Sequence, residues 1–450
     1  MIKTTKYFFF FLILNILSAC SFDQQTGIWS GGKKEEKRIE LLEQEQNRIT
    51  KVVKLYSTDD VFQKEIKPIK NSILTVPKKN SSWTTSGLNA KNSSGNIYFE
   101  GINKNFLKKK VGKNKFSSYH RASSILSFEN NIFISDDRGT IFNINKSGKI
   151  NWKKNIYKKL YKKLHKNLSL SIYKNKIFVS DNIGFVYAIN LIDGELIWIK
   201  NYSVPNRSNI KIFNDKIFII NQDNRILCVD ILNGSLLWNV RSVGSFIKSQ
   251  KPLSVAISKK GNVIALLSSG DLVKITSNTG NLIWSLNLSG SMFAHDTDFF
   301  IASDVLIDED SVIVSTKSSI FSFDINNGYL NWKENINSTN TPIIDGKLLF
   351  TITDNGYLIN INKIDGKIIW STNILKILKK NKQNTTITGF VMGSGIIYAT
   401  TSNGYIIVSS AKSGVVNKAL KIGDTINSAP IISDGSLYVL TSNSKIFGFK

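Results

Sequence analysis

The sequence predicts an all-β fold in which short, four-stranded antiparallel sheets repeat around a closed ring. Three observations support this: a repeated phrase with a turn glycine and a tryptophan, β-branched runs between its copies, and an incomplete last repeat. Repeats of roughly 40–50 residues with a fixed Gly and Trp are typical of propeller blades. We therefore expect an eight-bladed β-propeller closed by pairing of its N- and C-terminal strands, preceded by a short helical tether.

The repeated phrase places a tryptophan four residues after a glycine, as in Gly194-Glu-Leu-Ile-Trp198. Successive tryptophans are 46, 40, 46, 48 and 38 residues apart, and a seventh copy has Lys418 in the tryptophan position. A Trp at one fixed place in each blade is expected to pack between neighbouring sheets. The tryptophans interpreted as structural are Trp152, Trp198, Trp238, Trp284, Trp332 and Trp370. Dipeptides such as Asp193-Gly194 predict type I′ turns, in which both central residues have positive φ.

The number of blades follows from counting two kinds of strand. A β-branched strand occurs eight times, whereas the Gly-x-x-x-Trp strand occurs only seven times. The β-branched strands lie near Phe133, Phe178, Phe218, Ile264, Ile313, Leu349, Ile397 and Tyr438. Residues 105–111, upstream of the first repeat, are predicted to supply the missing strand of the eighth blade. This pairing of the two chain ends would close the ring and remove an open sheet edge.

The N-terminus reads as an export signal. Two lysines precede an apolar run, and residues 17–20 (Leu-Ser-Ala-Cys) resemble a bacterial lipobox, in which the cysteine is acylated. We expect residues 1–19 to be a lipoprotein signal peptide and Cys20 to carry the lipid, with palmitate among its acyl chains. Residues 20–95 are predicted to form a tether with a short helix over residues 33–54, and residues 96–450 the propeller. Pro68 and Pro77 lie in a stretch that reads as linker.

The chain is strongly basic, with a formal net charge of +26. Because lysine is frequent throughout, we interpret this as a compositional bias rather than as a dedicated patch. One segment, Lys153–Lys166, has seven lysines and no acid. Tyr157, Leu160, Tyr161 and Leu164 follow helical spacing in it, which fits a short basic helix on a membrane or an acidic partner. The other interpretation is a solvated inter-blade loop docked by its Tyr/Leu side.

The residues that would carry chemistry are scattered or missing. The two cysteines, Cys20 and Cys228, are far apart, and the three histidines (His120, His165 and His295) share no metal-ligand spacing. The run of residues 308–310 lacks the spaced oxygen ligands of a calcium loop. A quinoprotein dehydrogenase, which has the same type of repeat, would also need adjacent cysteines and calcium carboxylates. We therefore expect no enzyme activity, no metal and no cofactor, and we expect no nucleic-acid binding from an exported lipoprotein.

The lipobox, the tether and the Gly-x-x-x-Trp propeller together resemble the BamB family, lipoproteins of the complex that assembles β-barrels in the Gram-negative outer membrane. The resemblance implies a non-catalytic scaffold at the periplasmic face of the outer membrane. Its partners would be the POTRA domains of the barrel-forming subunit BamA and unfolded outer-membrane proteins. The family's partner-binding loops correspond here to two sets of residues: Phe246, Ile247 and Lys248, and Asp296 and Asp298. The alternatives are an envelope propeller for another ligand or complex and a degenerate quinoprotein.

Overall fold

A computed structural model describes residues 21–22, 29–30, 37, 62–113, 124–161, 164–241, 253–289, 300–382, 384–423, 425–426 and 428–450. The chain divides into two compact units, residues 1–53 and residues 54–450. In the first unit, strands β1 (Ser21–Phe22) and β2 (Trp29–Ser30) pair antiparallel. The predicted helix over residues 33–54 lies outside the described residues except for Lys37.

The second unit contains eight blades of four antiparallel strands, which confirms the predicted eight-bladed propeller; one of the eight sheets has a fifth strand that pairs parallel with its first. Two strands precede the first complete blade: β3 (Asn96–Ile97) and β4 (Asn105–Lys110). Blade 1 is β5 (Leu126–Phe128), β6 (Asn131–Ser135), β7 (Thr140–Asn145) and β8 (Ile150–Asn155). Blade 2 is β9 (Leu168–Tyr173), β10 (Lys176–Asp181), β11 (Phe185–Asn190) and β12 (Leu196–Asn201). Blade 3 is β13 (Lys211–Phe213), β14 (Lys216–Ile220), β15 (Arg225–Asp230) and β16 (Leu236–Arg241).

The remaining blades follow the same order. Blade 4 is β17 (Ser254–Ile257), β18 (Asn262–Leu266), β19 (Asp271–Thr276) and β20 (Leu282–Asn287). Blade 5 is β21 (Leu306–Asp308), β22 (Ser311–Ser315), β23 (Ile320–Asp324) and β24 (Leu330–Glu334). Blade 6 is β25 (Ile343–Asp345), β26 (Leu348–Ile352), β27 (Tyr357–Asn362) and β28 (Ile368–Asn373). Blade 7 is β29 (Ile387–Gly393), β30 (Ile396–Thr401), β31 (Tyr405–Ser410) and β32 (Val416–Lys421). Blade 8 is β33 (Ile431–Ser433), β34 (Ser436–Leu440), β35 (Lys445–Phe449) and the upstream strand β4.

The first strand of each blade faces the central channel and is called the inner strand; the last is the outer strand. The inner strands and their neighbours bury nearly continuous Ile, Val, Leu and Phe, as in β14 (Lys216–Ile220), because they are covered on both faces. Outer strands are more exposed, as in β12 (Leu196–Asn201), although Trp284, Trp332 and Trp370 are buried in those of blades 4 to 6. Among the described residues, no helix is long and apolar enough to span a membrane. The two 3₁₀ segments, Lys159–Tyr161 and Ile374–Lys382, lie in connections between blades.

The geometry of blade 2 explains the glycine–tryptophan phrase. Gly194 has a φ of +73°, and a Cβ there would lie 2.8 Å from the ring of Trp152 in the preceding blade. The indole N–H of Trp152 donates to the Leu191 carbonyl at 3.1 Å. The glycine therefore provides both a left-handed backbone and the space for the neighbouring blade's tryptophan. The same glycine–tryptophan contact joins each successive pair of blades as far as Gly414 and Trp370.

The predicted type I′ geometry is wrong for the turns that carry these glycines. Only Gly194 has positive φ in its turn, and its N–H bonds to the Asn190 carbonyl, which makes a longer loop. Type I′ geometry occurs instead two hairpins earlier, where both Lys174 and Asn175 have positive φ between β9 and β10. Dipeptides without glycine adopt it there because the two-residue loop joins strongly twisted strands.

The ring closes where the sequence predicts. Strand β4 pairs antiparallel with β35, from Lys110 opposite Lys445 to Asn105 opposite Phe449. Leu107 takes the position that tryptophan has in other blades, opposite Gly448 and against Gly148 of blade 1. The neighbouring Phe106 meets the Tyr438 ring edge-on, with 6.1 Å between the ring centroids. Closure by the two chain ends leaves no inner or middle strand of the eighth blade unpaired.

Residues 62–95, which the sequence assigns to the tether, are packed against the propeller. Ile66 forms a bridge with Ser371 in the outer strand of blade 6. Ser72 lies beside blade 7, where its backbone N–H donates to the Lys412 carbonyl, and its hydroxyl accepts the indole N–H of Trp370. Trp370 is fully buried. The expected boundary at residue 95 is therefore too late for the part of the tether that the structure describes.

Residues 75–97, here called the belt, make a complete circuit of the ring. They contact every blade in turn, starting at blade 6 and ending at blade 7. The contacts are Thr75 with Asp345, Asn80 with Asp434, Trp83 with Ser127, Thr85 with Ser171, Asn89 with Lys211, Ala90 with Ile257, Lys91 with Ile307, and Asn96 with Met392. Most are backbone hydrogen bonds at the end of an inner strand. One segment thus ties together blades that lie more than 300 residues apart in sequence.

Candidate partner-binding face

The central channel is a cavity with the belt as one end wall. Its volume is about 360 Å³, and Trp83 and Asn92 of the belt are among its lining residues. At the other end it is lined by the segments that lead into the inner strands, such as Asn206–Asn209 of blade 3 and Asn340–Thr341 of blade 6. We call this second end the connector face, because the chain crosses there from one blade to the next.

The lining of the cavity does not fit the cofactor of the quinoprotein dehydrogenases. Asp304 is the only acidic residue among the described lining residues. The others are mainly Ser, Thr, Asn and apolar side chains. Cys228 is buried in β15. Because burial raises the pKa of its thiol to about 12, the thiol stays protonated and supplies no reactive thiolate for redox chemistry at the cavity. Within the described ranges, no three His, Cys, Asp or Glu residues are grouped to hold a metal. We derive no chemical step through a quinone at this site.

A buried lysine joins the belt to blade 3. Lys211 is 1% exposed, and its ammonium donates to the carbonyls of Ser86 and, at 2.8 Å, Asn89. Burial lowers its pKa to about 7, and the charge of Asp304 opposes this effect. On the next two blades, the Asn92 amide donates to the Val255 and Val305 carbonyls at 3.2 and 2.8 Å. The sequence does not predict these contacts, because no spacing in it marks Lys211 or Asn92.

The basic insertion Lys153–Lys166 begins in β8. Its other described residues, 156–161 and 164–166, form a loop with one 3₁₀ turn rather than an amphipathic helix. Tyr157 is buried, and its hydroxyl donates to Asp181 at 2.5 Å. Desolvation raises the pKa values of both groups. The Tyr161 ring meets Phe185 edge-on at 5.6 Å, whereas Leu160 is 79% exposed. The tyrosines therefore dock the loop as expected, but the leucines do not.

The predicted partner-binding residues all lie outside the described residues. Phe246, Ile247 and Lys248 belong to residues 242–252, and Asp296 and Asp298 belong to residues 290–299. Cys20 is likewise not described. The described ends of the two loops lie in the connections from blade 3 to blade 4 and from blade 4 to blade 5. Both loops thus begin and end on the connector face of adjacent blades.

The described residues beside these loops include polar and charged side chains as well as the apolar Leu288 and Phe300. Arg225, at the start of β15, donates from its guanidinium to the Asn239 side chain at 3.0 Å. Asn287, at the end of β20, donates to Asp271 at 2.6 Å. Arg241, the last described residue before the first loop, is exposed. A mixture of polar and apolar side chains of this kind is typical of protein interfaces.

Known proteins resemble this chain in both sequence and fold. The profile of the family described as outer membrane protein assembly factor BamB matches residues 137–372, just over half of the chain. The curated BamB of Legionella pneumophila (strain Paris) is 22% identical over 187 residues, which cover 41% of this chain and 47% of that protein. The BamB of Moranella endobia (strain PCIT) is 23% identical over 181 residues, covering 37% and 42%. The matches thus span less than half of these relatives' length.

Solved structures agree on the fold. BamB from Moraxella catarrhalis matches with a TM-score of 0.65 and 12% identity, over 77% of this chain and 99% of that one. A europium-containing methanol dehydrogenase matches with a TM-score of 0.61 and 12% identity, over 80% and 89%. At these identities, the structures show a shared propeller fold and no more. Because the family profile covers more than half of the sequence, the protein belongs to the family of outer membrane protein assembly factor BamB.

Proposed function

We propose that this protein is a non-catalytic scaffold lipoprotein in the assembly of outer-membrane β-barrels, and that it binds the POTRA domains of BamA. Membership in the BamB family is the observation that carries the proposal. The cavity lining supports it, because Ser, Thr and Asn predominate among the described lining residues and Asp304 is the only carboxylate among them, so they include no carboxylate pair. Unfolded outer-membrane proteins are a further proposed partner. A rigid ring presents its loops at fixed geometry, as a scaffold requires.

The proposed location is the periplasmic face of the outer membrane, with a lipid on Cys20. The residues that precede Cys20 support this, since they have the order of a lipoprotein signal. Residue 21 is Ser rather than Asp, which favours the outer over the inner membrane. After removal of residues 1–19, about 40 residues would separate the lipid from Phe62, where the description of the second unit begins.

The proposed partner-binding residues are Phe246, Ile247, Lys248, Asp296 and Asp298. The positions of their loops support this, because the loops connect three consecutive blades on one face. Two short loops of opposite charge on adjacent blades can contact a single small domain. Lysine at residue 248 offers a point charge rather than the planar fork of arginine, so its contribution would be mainly electrostatic.

The test is a binding titration with purified BamA POTRA domains. We expect the variant D296K/D298K/K248E to bind at least tenfold more weakly than the wild type, with unchanged thermal stability. The control is K259E/D310K, in which two exposed residues at hairpins of blades 4 and 5, away from the connector face, are reversed. Equal affinity of the loop variant and the wild type would contradict the site assignment. Absence of wild-type binding would contradict the proposed partner.

The runner-up is an envelope propeller that binds another ligand or complex. The low identity to the curated relatives and the partial coverage of their length are consistent with a different ligand for this chain. A wild-type protein that folds and anchors normally, but co-purifies with a complex other than the barrel-assembly machinery, would support this alternative.

A further inference from the structure

The outer strands of the propeller are divided by charge into two arcs. Those of three adjacent blades, 7, 8 and 1, carry seven lysines and no acidic residue. These lysines are Lys108, Lys109, Lys110, Lys153, Lys154, Lys418 and Lys421. The outer strands of the other five blades together carry three basic residues and one acidic residue. We call the three lysine-rich strands the basic arc.

The charges of the basic arc remain largely uncompensated. Among the described residues, two of the seven lysines have an ion pair or carbonyl partner: Lys154 with Glu195 at 3.1 Å, and Lys421 with the Asn403 carbonyl. Lys108 lies over the Phe447 ring, which holds its charge at the surface. Three consecutive lysines, residues 108–110, are exposed in β4. A concentration of one sign of charge on one edge creates a local positive potential.

Two exposed leucines follow β8, the outer strand that blade 1 contributes to this arc, in the chain. The loop that follows β8 is held by Tyr157 and Tyr161, while Leu160 and Leu164 are 79% and 51% exposed. Lys158 and Lys159 are exposed next to them. Leucines flanked by lysines suit the boundary between lipid headgroups and acyl chains, where the apolar side chains enter and the ammonium groups stay with the phosphates.

The first described residues of the second unit lie on the blade next to the same arc. The described part of the second unit begins at Phe62 along blade 6, where the backbone N–H of Phe62 donates to Asn337. Ile66 then pairs with Ser371 of the outer strand, and Glu65 forms an ion pair with Lys376 at 2.9 Å. Blade 6 is the immediate neighbour of blade 7, where the basic arc begins.

We propose that the basic arc, together with Leu160 and Leu164, is a docking surface for an anionic phospholipid membrane. The lysines attract the headgroups, and the two leucines enter the interface. This contact orients the propeller with blades 7, 8 and 1 toward the bilayer, which leaves the connector-face loops of blades 3 to 5 on the far side of the ring for a protein partner. The inference stands on charge and exposure and does not require POTRA binding.

The experiment uses the chain from residue 20 with Cys20→Ser, so that no lipid can be attached. Binding is measured by co-sedimentation with phosphatidylcholine vesicles, with and without phosphatidylglycerol. We expect binding to the phosphatidylglycerol vesicles only, and loss of that binding as salt rises from about 0.05 to about 0.5 M. The variant K108Q/K109Q/K110Q is expected to bind on the order of a hundredfold more weakly, since each lysine near an anionic surface contributes roughly a factor of five.

A matched control removes the same charge elsewhere. The variant K259Q/K260Q/K347Q loses three exposed lysines at hairpins of blades 4 and 6 and is expected to bind like the wild type. Equal weakening in both variants would overturn the proposal, because it would show an effect of net charge alone. Equal wild-type binding to both kinds of vesicle, or none to either, would also overturn it. Capture of an acidic envelope protein by an arc that binds no vesicles would assign the surface to a protein instead.

A second variant tests the leucines. L160S/L164S is expected to bind phosphatidylglycerol vesicles several-fold more weakly, with the same salt dependence as the wild type, because it removes apolar insertion and keeps every charge. Affinity equal to that of the wild type would remove the leucines from the docking surface.

Discussion

Lys211 makes the free energy of unfolding of the propeller depend on pH. Burial lowers its pKa from 10.5 to about 7. Between these values the unfolded chain holds a proton that the folded chain has released, so stability rises with pH. Each pKa unit corresponds to about 1.4 kcal/mol, and the full shift therefore to about 5 kcal/mol. From pH 7 to pH 9 the contribution is about 2 kcal/mol, since the folded group is already half deprotonated at pH 7.

The perturbation is Lys211→Met, which keeps the aliphatic chain and removes the titrating group. The assay is urea unfolding followed by tryptophan fluorescence at pH 7, 8 and 9. We expect the stability of the wild type relative to the variant to increase by about 2 kcal/mol over this range. The absolute difference at one pH is less informative, because the variant also leaves the Ser86 and Asn89 carbonyls without their donor.

Two results bear on this reasoning. The control Lys259→Met changes an exposed lysine and should give the same pH slope as the wild type. If Lys211→Met also keeps the wild-type slope, the ammonium of Lys211 is not desolvated in the folded protein. The account of the belt contact would then be refuted.

The remaining predictions concern the packing of the ring. Trp370→Ala should lower the free energy of unfolding by about 3–5 kcal/mol, measured by urea denaturation, because the side chain is fully buried. Gly194→Ala should destabilise more than Gly435→Ala by about 1–3 kcal/mol in the same assay, since both have positive φ but only the first would meet a tryptophan ring. Asn92→Ala should cost about 1–3 kcal/mol and speed proteolysis within residues 75–97, because it removes two buried hydrogen bonds. Proteolysis at the wild-type rate would show that the belt is held without Asn92.

The blades could be predicted from the sequence because each is a local unit. The glycine, the tryptophan and the strands between them lie within one period, so their spacing survives in the linear order. The closing strand at residues 105–110 was also predictable, because the count of outer strands was one short of the count of β-branched strands. The turn type was not, since Asp193-Gly194 fits two turn geometries and the length of the loop decides between them.

The belt could not be predicted, because its partners are set by closure of the ring. Asn80 bonds to Asp434, and Asn92 bonds to residues of two different blades, so no sequence period links them. Its composition is polar and typical of a linker. Such a composition does not indicate the backbone hydrogen bonds that the belt makes with the ends of strands. Its large apolar residues are few, and of these Trp83 and Ile97 are buried.

The basic arc illustrates the same limit on charge patterns. Lysines occur throughout the chain, and their average density indicates only a composition. Ring closure makes β4, which comes from the N-terminal side, the outer strand of blade 8. There it pairs with β35, and its neighbours around the ring are the outer strands of blades 7 and 1. Lysines that are about 300 residues apart in the sequence therefore share one edge. The predicted loop residues at 246–248 and 296–298 remain predictions that rest on the family resemblance.

The most direct test of the central claim is co-purification from native envelopes with the tagged, lipidated protein. Mass spectrometry of the captured chains would identify the partner. The account predicts recovery of BamA with the wild type and reduced recovery with D296K/D298K/K248E. Recovery of a different complex, or of no partner from envelopes in which the protein is anchored and folded, would contradict a role in β-barrel assembly.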